Sequence, residues 1–376
     1  MAPKQTHKDR YAIIMAGGRG ERFWPVSRER MPKQLLSLVG KRSLLQQAVD
    51  RILPLVPWRN LLVITNAVQA PLVRKQLPRL PAANLVIEPC GRDTCAAVAL
   101  GAAIVGARST TAAMAVLPAD HVIPDEGKFR QVLADALDLA GRGQVMVTIG
   151  IAPTEPHTGY GYIHIGDPLP PPRGASAYRT AFYKARQFVE KPHHEKAVEF
   201  VQSGAYRWNA GMFVWSFVTI AESLLQHQPQ LAQAAQTWMA AAASPSRLKR
   251  CLARDYPGLP RISVDFALME KAHNVVVAEG AFGWDDLGSW TALARHLKAD
   301  EAGNCAVGDL VHVDAERNLI FDARTRNRTP IAVVGLRDAI IVQTDDALLA
   351  AHKSQAQKVK ELVARLAGMP RYRKWL

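Results

Sequence analysis

An apolar run at residues 11–16 empties directly into Gly17-Gly18-Arg19-Gly20, and this junction limits the fold more than any other stretch of the chain. The run is too short for a helix and reads as a buried strand. Closely spaced glycines let the backbone turn sharply and bring N–H groups against anionic oxygens. Within residues 19–33, Arg19, Arg22, Arg28, Arg30 and Lys33 stand against only Glu21 and Glu29. That balance suits a polyanion such as a nucleoside triphosphate. Two familiar phosphate loops are excluded. A dinucleotide fingerprint counted from Gly18 and Gly20 meets Phe23 where glycine is required. The Gly40-Lys41 pair has Leu35 and Arg42 at the positions a Walker loop reserves for glycine and Ser/Thr.

Strand-like runs at 61–65, 85–87, 113–117 and 145–149 alternate with helical patterns at 44–56, 96–107 and 129–140. This order predicts an α/β fold with a Rossmann-like, mainly parallel sheet covered on both faces, whose ligands sit beyond the carboxyl ends of the strands. Residues 168–172 read as a proline-rich surface loop and residues 232–246 as an alanine-rich helical segment ending at Ser244-Pro245. From about residue 301 short β-rich runs take over, at 308–313, 318–321, 331–334 and 339–342. An amphipathic helix over 347–366 closes the chain. The expected organisation is a catalytic domain over 1–300 and a small β-rich domain over 301–376.

The chain has 376 residues, 48% of them hydrophobic, enough for a full core. Cys90, Cys95, Cys251 and Cys305 form no Cys-x-x-Cys pair and no zinc spacing, which points to reduced thiols in a cytoplasmic protein. The apolar stretch after the polar, basic residues 1–10 is too short for a signal core, and residues 95–107 fall short of a membrane span. The net charge of +14 is spread along the chain, with local groups at the glycine loop and at the termini, including Lys4, Lys8 and Lys374. Without aromatics interleaved in a basic patch, this favours small anionic substrates over nucleic acid.

Two carboxylates stand out. Asp120, in Leu117-Pro118-Ala119-Asp120-His121, follows a strand at its carboxyl end. Asp286 lies in Gly283-Trp284-Asp285-Asp286-Leu287-Gly288. Alone, such loop aspartates are commonly turn formers or caps. Together with GGRGERFWPVSRERMPKQ they resemble the sugar-nucleotide pyrophosphorylases and, within them, the mannose-1-phosphate guanylyltransferases. The resemblance covers residues 11–295 and, more weakly, the β-rich tail.

It implies a nucleotidyltransferase (glycosyltransferase-A-like) core followed by a left-handed β-helix-like domain, using GTP, mannose 1-phosphate and Mg2+. Asp120 and Asp286 would be the metal ligands, Asp286 being preferred over Asp285. Arg22 and Lys33 would meet the triphosphate, and Ala16, Gly17, Gly18 and Gly20 would line the nucleotide. In the family, the segment holding Glu88, Gly91, Arg92 and Asp93 lies against the base. Many mannose-type members have Asn where Asp93 stands, and this aspartate reads equally as a helix cap. Gly161, Glu190, Lys191 and Asn209 would form the sugar-phosphate side. The resemblance also implies no nucleic-acid or membrane partner, and the β-rich tail is compatible with a homodimer. Bifunctional relatives carry an additional isomerase domain, and that activity is not expected of this chain. The alternatives are another sugar 1-phosphate or nucleotide, or a non-catalytic nucleotide-sugar sensor or assembly subunit.

Overall fold

The computed structural model describes residues 9–170 and 178–376. Lys4, Lys8 and the end of the proline-rich stretch lie outside them. Strands β1 (Arg10–Met15), β2 (Leu61–Asn66), β3 (Leu85–Glu88) and β4 (Ala113–Pro118) pair in parallel in the order β3-β2-β1-β4. Helices α1 (Leu44–Ile52), α2 (Ala70–Gln76) and α3 (Asp93–Arg108) connect them, and α4 (Glu126–Arg142) follows. β1 is buried along residues 11–14 because helices cover both faces, so it reads as an unbroken apolar run. Local chemistry sets the helix starts. Ser43 and Gln46 form a capping box on α1, and the Asp125 side chain accepts from Lys128 N at the start of α4.

The parallel order expected from the sequence holds across β1–β4, and beyond β4 the sheet is mixed. β5 (Met146–Ile151), β6 (Gly161–Pro168), β7 (Phe182–Glu190), β8 (Tyr206–Ser216) and β9 (Val275–Glu279) continue it as β4-β8-β5-β9-β7-β6. Only β5 and β9 pair in parallel there. β8 runs antiparallel to β4, β5 and β6, and β7 antiparallel to β6 and β9. Pro168, expected in a surface loop, is the last residue of β6. Helices α5 (His194–Ser203), α6 (Phe217–His227), α7 (Pro229–Ala241), α8 (Pro245–Asp255) and α9 (Trp290–Ala294) complete this half. Pro245 opens α8 from its first turn, where a missing N–H costs nothing. Two apolar cores result, one under α1 and α4 and one under α3, α6 and α7.

The tail coils in parallel. β10 (Cys305–Val307), β12 (Leu319–Asp322) and β14 (Ala339–Gln343) stack with Cys305 beside Leu319 and Leu319 beside Ile340, while β11 (Leu310–Val313) pairs with β13 (Ile331–Val334). A buried asparagine ladder stitches the turns: Asn318 Nδ2 donates to Asn304 Oδ1 at 3.0 Å and to Leu336 O at 2.9 Å. The expected helix over 347–366 is a correction. Its first part is β15 (Leu348–His352), antiparallel to β14, and only Val359–Ala367 forms α10. Leu349 is buried between exposed neighbours, a period of two, and the open edge of β14 supplies the partner. The coil packs behind the glycine loop. Phe23, Trp24 and Trp290 share one cluster with Leu319, Phe321, Ile340 and Val359, and Trp24 Nε1 donates to Trp375 O at 2.9 Å. Among the described residues no helix is long and apolar enough to cross a membrane.

Candidate active site

The glycine loop leaves β1 with its carbonyls held from below. Gln34 Nε2 donates to Ala16 O (3.1 Å) and Gly18 O (3.0 Å), Gln69 Nε2 to Gly18 O (3.2 Å), and Thr65 Oγ1 to Ala16 O (2.9 Å). The N–H groups of Gly17, Gly18 and Arg19 have no acceptor among the described residues, and all three residues are exposed. Carbonyls satisfied inward and N–H groups free outward make an anion cradle. Gly20 has φ 63°, and a Cβ there would sit 2.5 Å from Lys33 Cβ, so only glycine lets this turn lie on Lys33. Arg22 follows as the exposed residue of the turn Glu21–Phe23, and among the described residues its side chain pairs with nothing.

Lys33 is buried, and its ammonium reaches three oxygens: Asp120 Oδ2 at 2.6 Å, Asp286 O at 2.7 Å and Leu287 O at 3.2 Å. It therefore neutralises Asp120 and ties both aspartate segments together. The segments also pair directly. Val122 N donates to Asp285 O (2.9 Å), Asp285 N to Val122 O (3.1 Å), and Asp125 N to Phe282 O (3.0 Å). This bridge brings two carboxylates far apart in sequence to one place. Burial alone would raise the Asp120 carboxyl; Lys33 and His121 outweigh it and hold the group below its ordinary range. Asp286 Oδ1 accepts from Tyr160 OH at 2.8 Å, while its second oxygen has no partner among the described residues.

Asp285 is engaged elsewhere. Its Oδ1 accepts from Leu287 N (2.8 Å), and its Oδ2 meets Arg295 (2.9 Å) and His296 (3.0 Å). Burial would raise this carboxyl, but His296, the Leu287 N–H and Arg295 keep it below the usual range. Of the adjacent aspartates, Asp286 is the one that keeps a carboxylate oxygen without a partner among the described residues.

On the side assigned to the base, Glu88 is buried at the end of β3, accepts from Tyr256 OH, and lies under Gly17. Burial pushes its carboxyl up to about 7 against the lowering effect of the tyrosine. Gly91 is exposed. The Arg92 guanidinium donates to Tyr256 O and Pro257 O. Asp93 adopts φ 61° and its Oδ1 accepts from Thr94 N at 2.8 Å, one residue on instead of two or three as in an ordinary cap.

On the sugar side, Gly161 pairs with Glu190 across β6 and β7, and the Glu190 carboxylate occupies the space a Cβ on Gly161 would need. Lys191 Nζ donates to Glu190 Oε1. Asn209 Oδ1 accepts from Gly211 N (3.1 Å) and Thr148 Oγ1 (3.2 Å), and its Nδ2 donates to Asp265 Oδ1 (2.6 Å). An aromatic wall of Tyr160 against His157 (3.8 Å), Trp208 (5.1 Å) and Trp284 (5.1 Å) joins this side to Asp286.

Thus Gly20, Lys33, Asp120, Asp286, Tyr160, Gly161, Glu190 and Asn209 form one run of neighbours, while Arg92 is held by the carbonyls of Tyr256 and Pro257. Sequence reading passes over Gln69, Tyr160 and Asp265. Gln69 left no pattern to find; Asp265 left one, an acid inside the apolar stretch Ile262-Ser263-Val264-Asp265-Phe266-Ala267-Leu268.

A half-parallel α/β sheet with an outward-facing glycine loop and two aspartate segments tied together by one lysine has the make-up of a nucleotidyltransferase. Residues 11–303 match the nucleotidyl transferase family, and residues 308–366 match the MannoseP isomerase/GMP-like beta-helix domain. The chain belongs to the nucleotidyl transferase family, in its mannose-1-phosphate guanylyltransferase group. The xanthan biosynthesis protein XanB of Xanthomonas campestris pv. campestris (strain B100) is 36% identical over 362 residues, 96% of this chain and 73% of XanB. The mannose-1-phosphate guanylyltransferase of Escherichia coli (strain K12) is 36% identical, over 96% of this chain and 74% of that protein. A solved structure described as the mannose-1-phosphate geranyltransferase of Thermus thermophilus superposes with a TM-score of 0.80 at 36% identity, covering 96% of this chain and 99% of that one.

Proposed function

We propose that this chain transfers GMP from GTP to mannose 1-phosphate, giving GDP-mannose and pyrophosphate. The observation that carries the reading is the buried Lys33, whose ammonium joins Asp120 and the Asp286 segment while its backbone and Cβ pack against Gly20 of the glycine loop. The names of the relatives support the same sugar and base.

Two anions must meet for this reaction, so the protein's task is charge neutralisation and alignment. The unpaired N–H groups of residues 17–19 and the free Arg22 guanidinium would receive the triphosphate. Lys191 would receive the phosphate of the sugar, and Glu190 its hydroxyls. Asp120 and Asp286 would hold Mg2+. The donor set fits: two hard carboxylates, with the remaining positions left to phosphate oxygens and water. When bound, the ion would draw negative charge off the phosphates. Tyr160 keeps the Asp286 carboxylate oriented, and Lys33 keeps Asp120 ionised. We place the enzyme in the cytoplasm, for which its four unpaired thiols speak.

The test is pyrophosphate release by the purified protein with a panel of nucleoside triphosphates and sugar 1-phosphates, with and without Mg2+. GTP with mannose 1-phosphate should give the highest kcat/KM, and chelation should abolish turnover. A higher value with another pair refutes the substrate assignment; no release with any pair refutes the reaction.

A further inference from the structure

We infer that Asp265 is a positioning residue for the hexose end of the site: it locks the Asn209 amide so that its second N–H and the Glu190 carboxylate face neighbouring hydroxyls of the sugar phosphate. This rests on the sugar-phosphate reading above.

The orientation of Asn209 is not arbitrary. Gly211 N–H can only donate, so the atom 3.1 Å from it must be the amide oxygen, and Thr148 Oγ1 supplies a second donor to the same oxygen. The Nδ2 group is thereby turned to Asp265 Oδ1, at 2.6 Å. One of its hydrogens is used there. The other has no acceptor among the described residues. Asn209 Cβ and the Glu190 carboxylate both lie against Gly161, so the two side chains are neighbours there. A hydroxyl is both donor and acceptor, and an amide N–H beside a carboxylate matches that dual character.

Asp265 is held where folding alone has little use for it. It begins the π-helical turn Asp265–Met269, a geometry frequent at functional sites. Burial, with the Glu190 charge adding to it, lifts its carboxyl to about 6 despite the hydrogen bond from Asn209. The segment before it is tied to the start of α3: Val264 N donates to Thr94 Oγ1 (2.9 Å) and Cys95 N to Ile262 O (3.2 Å). Asp265 thus hangs from a fixed strap, and Asn209 hangs from Asp265. Without this acceptor the amide can swing, and a site built to pair hydroxyls discriminates poorly once its own polar groups are loose.

The test compares wild type, Asp265→Leu and Asp265→Asn, the last keeping an acceptor oxygen in place. Calorimetric binding of mannose 1-phosphate and glucose 1-phosphate is measured beside steady-state kinetics, with urea midpoints as the control for folding. Asp265→Leu should weaken mannose 1-phosphate binding about 10- to 100-fold and shrink the preference between the two epimers, with KM for GTP within about twofold. Asp265→Asn should restore binding to within about threefold of wild type. Equal losses for GTP and sugar phosphate, an unchanged epimer preference in Asp265→Leu, or an Asp265→Asn variant as poor as the leucine one overturns the inference. If wild type binds a hexose 1-phosphate and turns none over, the proposed reaction fails while the binding series still decides the role of Asp265. If wild type binds no hexose 1-phosphate, the role of Asp265 falls with the sugar site.

Discussion

Replacing Lys33 with methionine keeps the aliphatic stem that packs under Gly20 and deletes the ammonium that meets Asp120 and two carbonyls. Removing one partner of a fully buried ion pair costs about 3–5 kcal/mol; here the lysine is buried but Asp120 keeps contact with solvent, so that figure is an upper bound. The orphaned carboxylate can escape by taking up a proton. At pH 7, protonating a group that ordinarily titrates near 3.9 costs about 4 kcal/mol, which caps the ionic loss; at pH 5 the cap is about 1.5 kcal/mol. Two carbonyls without donors add about 1 kcal/mol each. The sign is fixed by the direction of the Asp120 shift. Its carboxyl lies below its ordinary range in the native protein, so its contribution is present above that range and lost as pH falls through the native value. Lys33→Met should therefore be several kcal/mol less stable at pH 8 and much closer to wild type at pH 5. The double variant Lys33→Met/Asp120→Asn removes the charge as well, and should recover all but about 2 kcal/mol at pH 8. Urea unfolding followed by tryptophan fluorescence and far-UV circular dichroism measures all three. A loss below about 1 kcal/mol, equal at both pH values and unimproved in the double variant, would refute the claim that Lys33 holds the aspartates.

Arg22→Ala should lower turnover about 100- to 1,000-fold with an unchanged urea midpoint, since the side chain is exposed and unpaired among the described residues; normal kcat would exclude Arg22 from the reaction. Glu88→Gln should stabilise the protein by about 3 kcal/mol above pH 7, because the native carboxyl titrates near 7 and its ionisation opposes folding. The advantage should fade as pH falls from 7 towards 4.5 and vanish below, and parallel pH profiles for variant and wild type would exclude the buried-carboxyl account. Gly20→Ala should cost about 1–3 kcal/mol, from the left-handed backbone and the collision with Lys33, and should depress activity beyond detection; an active, stable variant would show that the turn is not rigid.

The strands legible in the sequence are those with apolar cover on both faces. β1, β2 and β4 are buried along nearly their whole length and stand out as continuous apolar runs. β7 is the opposite case, with burial broken along its length and charged residues at Lys184 and Arg186, so no periodicity marked it. The antiparallel insertion of β8 between β4 and β5 is a non-local pairing that no window of sequence contains. The same division holds at the site. Gly20, Lys33, Asp120 and Asp286 sit in motifs whose order could be read, whereas Gln69 and Tyr160 matter only through partners brought from elsewhere in the chain. Arg92 lies in the segment that the resemblance sets against the base, and the carbonyls of Tyr256 and Pro257 that its guanidinium meets come from a part of the chain that no local window joins to it.

The pairing of Val122 with Asp285 dictates when the centre can exist during biosynthesis. A ribosome-bound chain that has emerged only as far as α4 displays the cradle and one acid, but lacks the opposing acid and the carbonyls that clamp the lysine. Competence would switch on late, once the distal segment docks on the earlier one.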